Sequence, residues 1–389
     1  MLCMIGGDFI LILISKQLRE EFIMTGRERY LTVLDNGKPD RLPCQVHSWM
    51  EYYLKTYLNG VDQYRAYDYF GMDPVIYVSP QYIFSEKDLA NWSEKHVDLG
   101  TTNDGDHLWQ KTITTPDGTL TIKGAYNQYT GWITEFPIKN EKDFDIWSKY
   151  VPLPEKVDWS PVVEAKKRIG DRGIVRAGFF DFGQGSPWQS FVGMLYPVEE
   201  AILETYDNPD WIHYVMKSLL EKKLKVIERA GKFELDLVET GGGAGSSTVI
   251  SPSLHREFCL PYDKMQHAAL HAAGTKIVYH LCGGMMPLLE TVAENGADGL
   301  ETMTPPEMGG DCNLAEASRR VGDRLFFIGG FDQNKGFENG NPALVKSMVR
   351  KLFEACPGGG YICSPSDHFF FGDPQNIKAF VAAAAECVY

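Results

Sequence analysis

Lys276-Ile277-Val278-Tyr279-His280-Leu281-Cys282-Gly283-Gly284 reads as a β-strand that opens into a glycine turn. Apolar and β-branched residues form the run, and the paired glycines end it. Side chains alternate faces along a strand, so His280 and Cys282 point the same way. An imidazole and a thiol together at a strand end are a ligand pair for a soft-to-borderline metal such as zinc. A buried cysteine beside a hydrogen-bonded histidine has the same spacing, so the surrounding chain must decide.

Outward from this strand the pattern repeats. Further strand candidates are Ile174–Phe180, Leu235–Glu239, Gly299–Met303, Leu325–Ile328 and Tyr361–Cys363. Segments of helical period separate them: Ser253–Ala273, Met286–Glu294, Leu314–Val321, Ala343–Cys356 and Gln375–Cys387. Ser253 before Leu254, and Asp373-Pro374 before Gln375, read as helix starts. Such alternation implies parallel strands joined by right-handed helical crossovers. Leu42–Val46 and Pro74–Val78 add two strands upstream, which predicts an α/β fold of the (β/α)8 TIM-barrel type. No strand is followed by G-x-G-x-x-G, which argues against a dinucleotide fold. Gly241-Gly242-Gly243-Ala244-Gly245 has another spacing and suits close backbone approach to a ligand.

One segment breaks the rhythm. Leu108–Thr115 and Thr119–Lys123 alternate apolar and polar residues around Pro116-Asp117-Gly118, as in a β-hairpin. With aromatic-rich Tyr126–Phe136 it predicts an insertion at about 100–140, after the second strand and over the catalytic face. Residues 24–389 are read as one barrel domain. Residues 1–23 are either an upstream misassigned start or a peripheral extension, and their apolar run Phe9–Ile14 is far too short for the ~20 residues of a membrane span.

Composition narrows the function. The chain has 389 residues and a formal net charge of −14, without a Lys/Arg cluster to track phosphates, so neither nucleic acid nor membrane is expected as partner. Eight scattered cysteines in a chain this long suggest reduced thiols and a cytoplasmic location.

With the strand ends placed, Arg27–Pro43, Ser251–Tyr262 and His280-Leu281-Cys282-Gly283 resemble the uroporphyrinogen decarboxylase superfamily, as do Gly296–Gly299, Ile328–Asp332, Gly359–Ile362 and Asp373–Ile377. These matches run in order from Met24 to the end. The resemblance implies a TIM barrel and one of two chemistries. True uroporphyrinogen decarboxylases carry an Arg-Gln-Ala-Gly-Arg stretch that holds the porphyrinogen carboxylates. Here the corresponding Cys44-Gln45-Val46-His47-Ser48-Trp49-Met50 lacks arginine, and a polycarboxylate would stand unpaired.

The other branch comprises zinc-dependent methyltransferases that exchange a methyl group with a corrinoid protein, signed by H-x-C and a later cysteine. The resemblance therefore implies Zn2+ on His280 and Cys282, with the third ligand from Cys363, Asp367 or His368. Glu239, Asp367 and His368 are the candidate catalytic groups, and Glu301 also closes a strand at the same face. Trp49, Tyr52, Phe180 and Phe369 are the candidate substrate-binding residues and favour an apolar or aromatic substrate. The substrate would be a small methyl donor or acceptor, such as a methoxylated aromatic or a thiol. No D-x-H-x-x-G cobalamin signature occurs, so the cobalamin is expected in trans on a corrinoid protein. The alternative is a decarboxylase or lyase for a non-porphyrin substrate. Direction of transfer and assembly state, a homodimer included, stay open.

Overall fold

The computed structural model describes residues 23–179 and 185–389. The expected amino-terminal extension, apart from Ile23, and Phe180 lie outside the described residues. The strands in chain order are β1 (Val75–Tyr77), β2 (Gln81–Ile83), β3 (Ser93–Thr101), β4 (His107–Thr115), β5 (Gly118–Tyr126), β6 (Gly131–Glu135), β7 (Lys156–Asp158), β8 (Ile174–Gly178), β9 (Leu237–Gly241), β10 (Lys276–His280), β11 (Gly299–Thr302), β12 (Phe326–Phe331) and β13 (Tyr361–Pro365). Seven of them form one parallel sheet in the order β1-β8-β9-β10-β11-β12-β13. From β8 onward helical segments separate one strand from the next, so neighbours in sequence are neighbours in space, whereas β2 to β7 intervene between β1 and β8.

The sheet curls towards closure through the segment expected to be the first strand. Leu42–Val46 joins β13 by a single parallel bridge, Cys44 to Cys363. Gln45 N–H donates to Cys363 O (3.0 Å) and Cys363 N–H to Pro43 O (3.0 Å). Pro43 has no N–H to extend that ladder. On the β1 side the Tyr30 hydroxyl lies 2.8 Å from Cys44 O and 3.0 Å from Asp73 O. The result is the expected TIM-barrel-like α/β fold, with seven ladder strands and an eighth extended segment.

The helix starts follow local capping chemistry. Asp373 caps Pro374–Glu386, as expected. Ser251 caps Pro252–Phe258, two residues earlier than expected. The single helix expected over 253–273 is two, because Pro261 cannot donate and the chain restarts as Leu260–Ala272.

The insertion is larger than a hairpin. β3-β4-β5-β6 form a four-stranded antiparallel sheet whose central pair, β4 and β5, is the hairpin read from sequence. β3 was not anticipated because Ser93–Thr101 is polar and mostly exposed along its length. The sheet's buried face (Ile113, Leu120, Ile122) packs with Phe144, Trp147, Phe191 and Trp211 in a core distinct from the barrel's. The 22-residue helix Pro209–Ala230 joins the two cores, giving Leu219 to one and Val226 and Ile227 to the other.

Candidate active site

The inward faces of β8 to β11 bear charge where a barrel interior is usually aliphatic. Arg176 on β8 is fully buried and donates through Nη1 to Glu301 Oε2 (2.9 Å) and through Nη2 to Glu301 Oε1 (2.8 Å) and Glu239 Oε2 (2.8 Å). This is the fork geometry in which guanidinium binds carboxylate best. Tyr77 of β1 donates to Glu239 Oε2 (3.1 Å) and lies under the guanidinium, 4.7 Å from ring centre to its carbon. Glu239 Oε2 is thereby occupied, while Oε1 faces His280 Nδ1 at 3.6 Å.

Register explains the convergence. Glu239 pairs with Val278, and His280 pairs with Gly241 on one side and Glu301 on the other. Alternation then puts Glu239, His280 and Glu301 on one face at the carboxyl ends of three adjacent strands, where barrel active sites form. His47, two residues beyond Gln45 on the eighth segment, completes the ring, its imidazole 5.2 Å from that of His280. One donor atom each from His47, Glu239, His280 and Glu301 lies within 4.8 Å of all the others.

The environment fixes the charge on each group. Burial raises the Glu301 carboxyl, but Arg176, His280 and His47 outweigh it and hold Glu301 well below its ordinary range. Burial likewise opposes charge on His280. Hydrogen bonds to Cys282 and Glu301 and the charge of Glu239 raise it well above 6.5 all the same. His47 goes the other way, lowered to about 4 by burial against the pull of Glu301 and Glu239, and is neutral at pH 7. Two imidazoles and two carboxylates suit a divalent ion such as zinc.

Cys282 is partly exposed and hydrogen-bonds His280, on the side the sequence placed it. A Cβ on Gly243 would come 2.6 Å from its sulfur. Gly241 has φ +84° and would bring a Cβ to 2.5 Å from His280 O. The glycine run thus serves close approach, but to the strand that carries His280.

The structure does not bring Cys363 to this group. Its bridge partner Cys44 shares the outward face, and its thiol sits among Tyr361, Cys44, Cys387 and Cys356, raised well above its ordinary range by burial. Sequence reading placed it at a strand end without settling which face it took. His368 lies at the rim, its ring 4.7 Å from that of His47 and its Nδ1 2.9 Å from Ser48 Oγ. Asp367 accepts from the His368 N–H (2.7 Å), a local turn contact.

The aromatic candidates divide in two. Phe369 is 2% exposed and packs with Trp49, Tyr53 and Phe337, and Trp49 also stacks on Phe70 at 5.3 Å. These two form a hydrophobic wedge. Tyr52 lies at the rim, 4.8 Å from Tyr129 of the insertion and 5.5 Å from Phe371, and Tyr129 also meets Phe370 at 5.4 Å. His47, Tyr77 and Arg176 were not anticipated. Arg176 carried a signal, since a charge amid Ile174-Val175 and Ala177 must have a buried partner.

A parallel α/β barrel with a His/Glu cluster at its strand ends defines the class. The chain belongs to the uroporphyrinogen decarboxylase (URO-D) family, whose model matches residues 131–387. Among its relatives is a uroporphyrinogen decarboxylase of Chromohalobacter salexigens, 26% identical over 266 residues, covering 61% of this chain and 70% of that one. One from Chlorobaculum parvum is 27% identical over 236 residues, covering 57% and 62%. A methyltransferase from Methanosarcina mazei has the same fold, with TM-score 0.62 and 14% identity over 94% of this chain and 99% of that one.

Proposed function

We propose that this protein is a zinc-dependent methyltransferase that moves a methyl group between a small substrate and a corrinoid carried by a separate protein. The observation that carries the reading is the clustering of His47, Glu239, His280 and Glu301 donor atoms within 4.8 Å at the barrel's carboxyl face. The likeness to a methyltransferase fold supports it.

His280, His47 and Glu239 Oε1 would hold the metal, with Cys282 beside them. Bound there, zinc would polarise a substrate oxygen or keep a thiol ionised. Arg176 keeps Glu301 ionised and anchors Glu239 through Oε2, which leaves Oε1 directed at the cluster. Burial keeps His47 neutral, so a ring nitrogen retains its lone pair for a ligand. Tyr52, Tyr129 and Phe371 would face an aromatic or methoxylated substrate and limit water at the rim. The described cysteines are all free, which accords with a cytoplasmic setting. Among the described residues no helix is long and apolar enough to cross a membrane.

A decarboxylase for a non-porphyrin acid is the second reading, favoured by the family of the curated relatives. Against a polyanion stands Arg176, the guanidinium in this cluster, whose Nη groups are already bound by Glu239 and Glu301. Metal analysis separates the readings. Purified protein should hold one zinc, and His280→Ala and Glu239→Gln should lose it. Wild type free of zinc, or variants that keep it in full, would contradict the proposal.

A further inference from the structure

The outer face of the sheet behind the site is tied to one helix by polar contacts at a single rung. Thr240 of β9 pairs with Tyr279 of β10, and this rung lies between the Glu239–Val278 and Gly241–His280 rungs. Thr240 and Tyr279 point outward and are buried. The Tyr279 hydroxyl donates to Asp263 Oδ2 at 2.6 Å, and Thr240 Oγ1 lies 2.9 Å from His267 Nε2. Asp263 and His267 are four residues apart on Leu260–Ala272, so both face the sheet.

His267 has its other nitrogen 2.9 Å from Asn295 O. A carbonyl only accepts, so Nδ1 carries the proton and Nε2 accepts from the Thr240 hydroxyl. The outward residues on either side, Val238, Ile277 and Leu281, are buried and apolar. Apolar contact holds a helix on a sheet without direction, whereas a hydrogen bond fixes distance and angle. The directional ties therefore fall on the rung flanked by the two that carry site residues. A related tie, His255 Nδ1 to Gly245 O at 2.7 Å, holds the glycine turn that covers Cys282.

We infer that Asp263 and His267 are positioning residues, which set the separation of Glu239 and His280 by fixing the Thr240–Tyr279 rung. The inference rests on the reading of Glu239 and His280 as metal-holding groups. The test uses the full chain with Tyr279→Phe, Thr240→Val and Asp263→Asn. Tyr279→Phe and Thr240→Val each remove one tie and keep the side-chain volume. Asp263→Asn retains an oxygen for Tyr279.

Zinc affinity, measured by competition with a fluorescent chelator, should fall about tenfold or more in the first two, the scale on which outer partners act on a metal site. It should stay close to wild type in Asp263→Asn. In metal-free protein the imidazole 15N resonances of His280, assigned by their loss in His280→Gln, should move in Tyr279→Phe and Thr240→Val. Unchanged affinity and unchanged His280 resonances, with only a lower Tm, would overturn the inference. A wild type that takes up no zinc would refute the metal reading instead, and the His280 resonances alone would then decide positioning.

Discussion

His280 Nδ1 lies 3.2 Å from Glu301 Oε1, between paired residues on adjacent strands. Without metal, this contact and the nearby Glu239 hold the imidazole protonated, although burial opposes it. Proton and divalent ion therefore compete for one set of donors.

Zinc uptake should release a proton, and apparent affinity should rise with pH across 6 to 8, because His280 must shed its proton to become a ligand. Zinc titrations at three pH values check this. Affinity independent of pH would exclude His280 from the metal's shell.

Arg176→Met should destabilise the fold by about 3–5 kcal/mol, since it takes both guanidinium hydrogen bonds from the buried Glu301 carboxylate. Urea denaturation measures the loss. The double variant Arg176→Met/Glu301→Gln should recover part of it.

His267 gives stability a defined pH dependence. Burial lowers its pKa to about 4, against the opposing bond to Asn295. The unfolded chain takes up this proton near 6.5 and the folded chain does not. Its contribution is therefore complete above pH 6.5 and is lost as pH falls towards 4, on the order of 3 kcal/mol. In His267→Gln the loss of stability between pH 7 and 5 should be smaller than in wild type, by urea denaturation at both values.

Gly241→Ala should be more damaging than Gly243→Ala. The first forces a side chain into φ +84° and against a backbone oxygen, whereas the second displaces the Cys282 thiol. Gly243→Ala should cost about 1–3 kcal/mol, as overpacking does. Thermal melts of the two variants check the order.

The barrel was legible because parallel strands buried on both faces leave continuous apolar runs, and seven of the eight expected became ladder strands. Leu42–Val46 fell short because Pro43 lacks a donor, which makes its pairing a matter of one bridge. His280, Glu239 and Glu301 could be read from strand ends, since register carries them to one face. His47 could not, because its strand had no periodicity strong enough to fix which side it faced. Cys363 shows the same limit in reverse: one residue of register decides whether a strand-end thiol meets the lumen or the helices.

Methyl transfer itself can be followed by incubating the zinc-loaded protein with cob(I)alamin and a panel of methoxyarenes. Wild type should form methylcobalamin, read by absorbance, and His280→Ala should not. Conversion of uroporphyrinogen to coproporphyrinogen, with no methylcobalamin from any donor, would contradict methyl transfer.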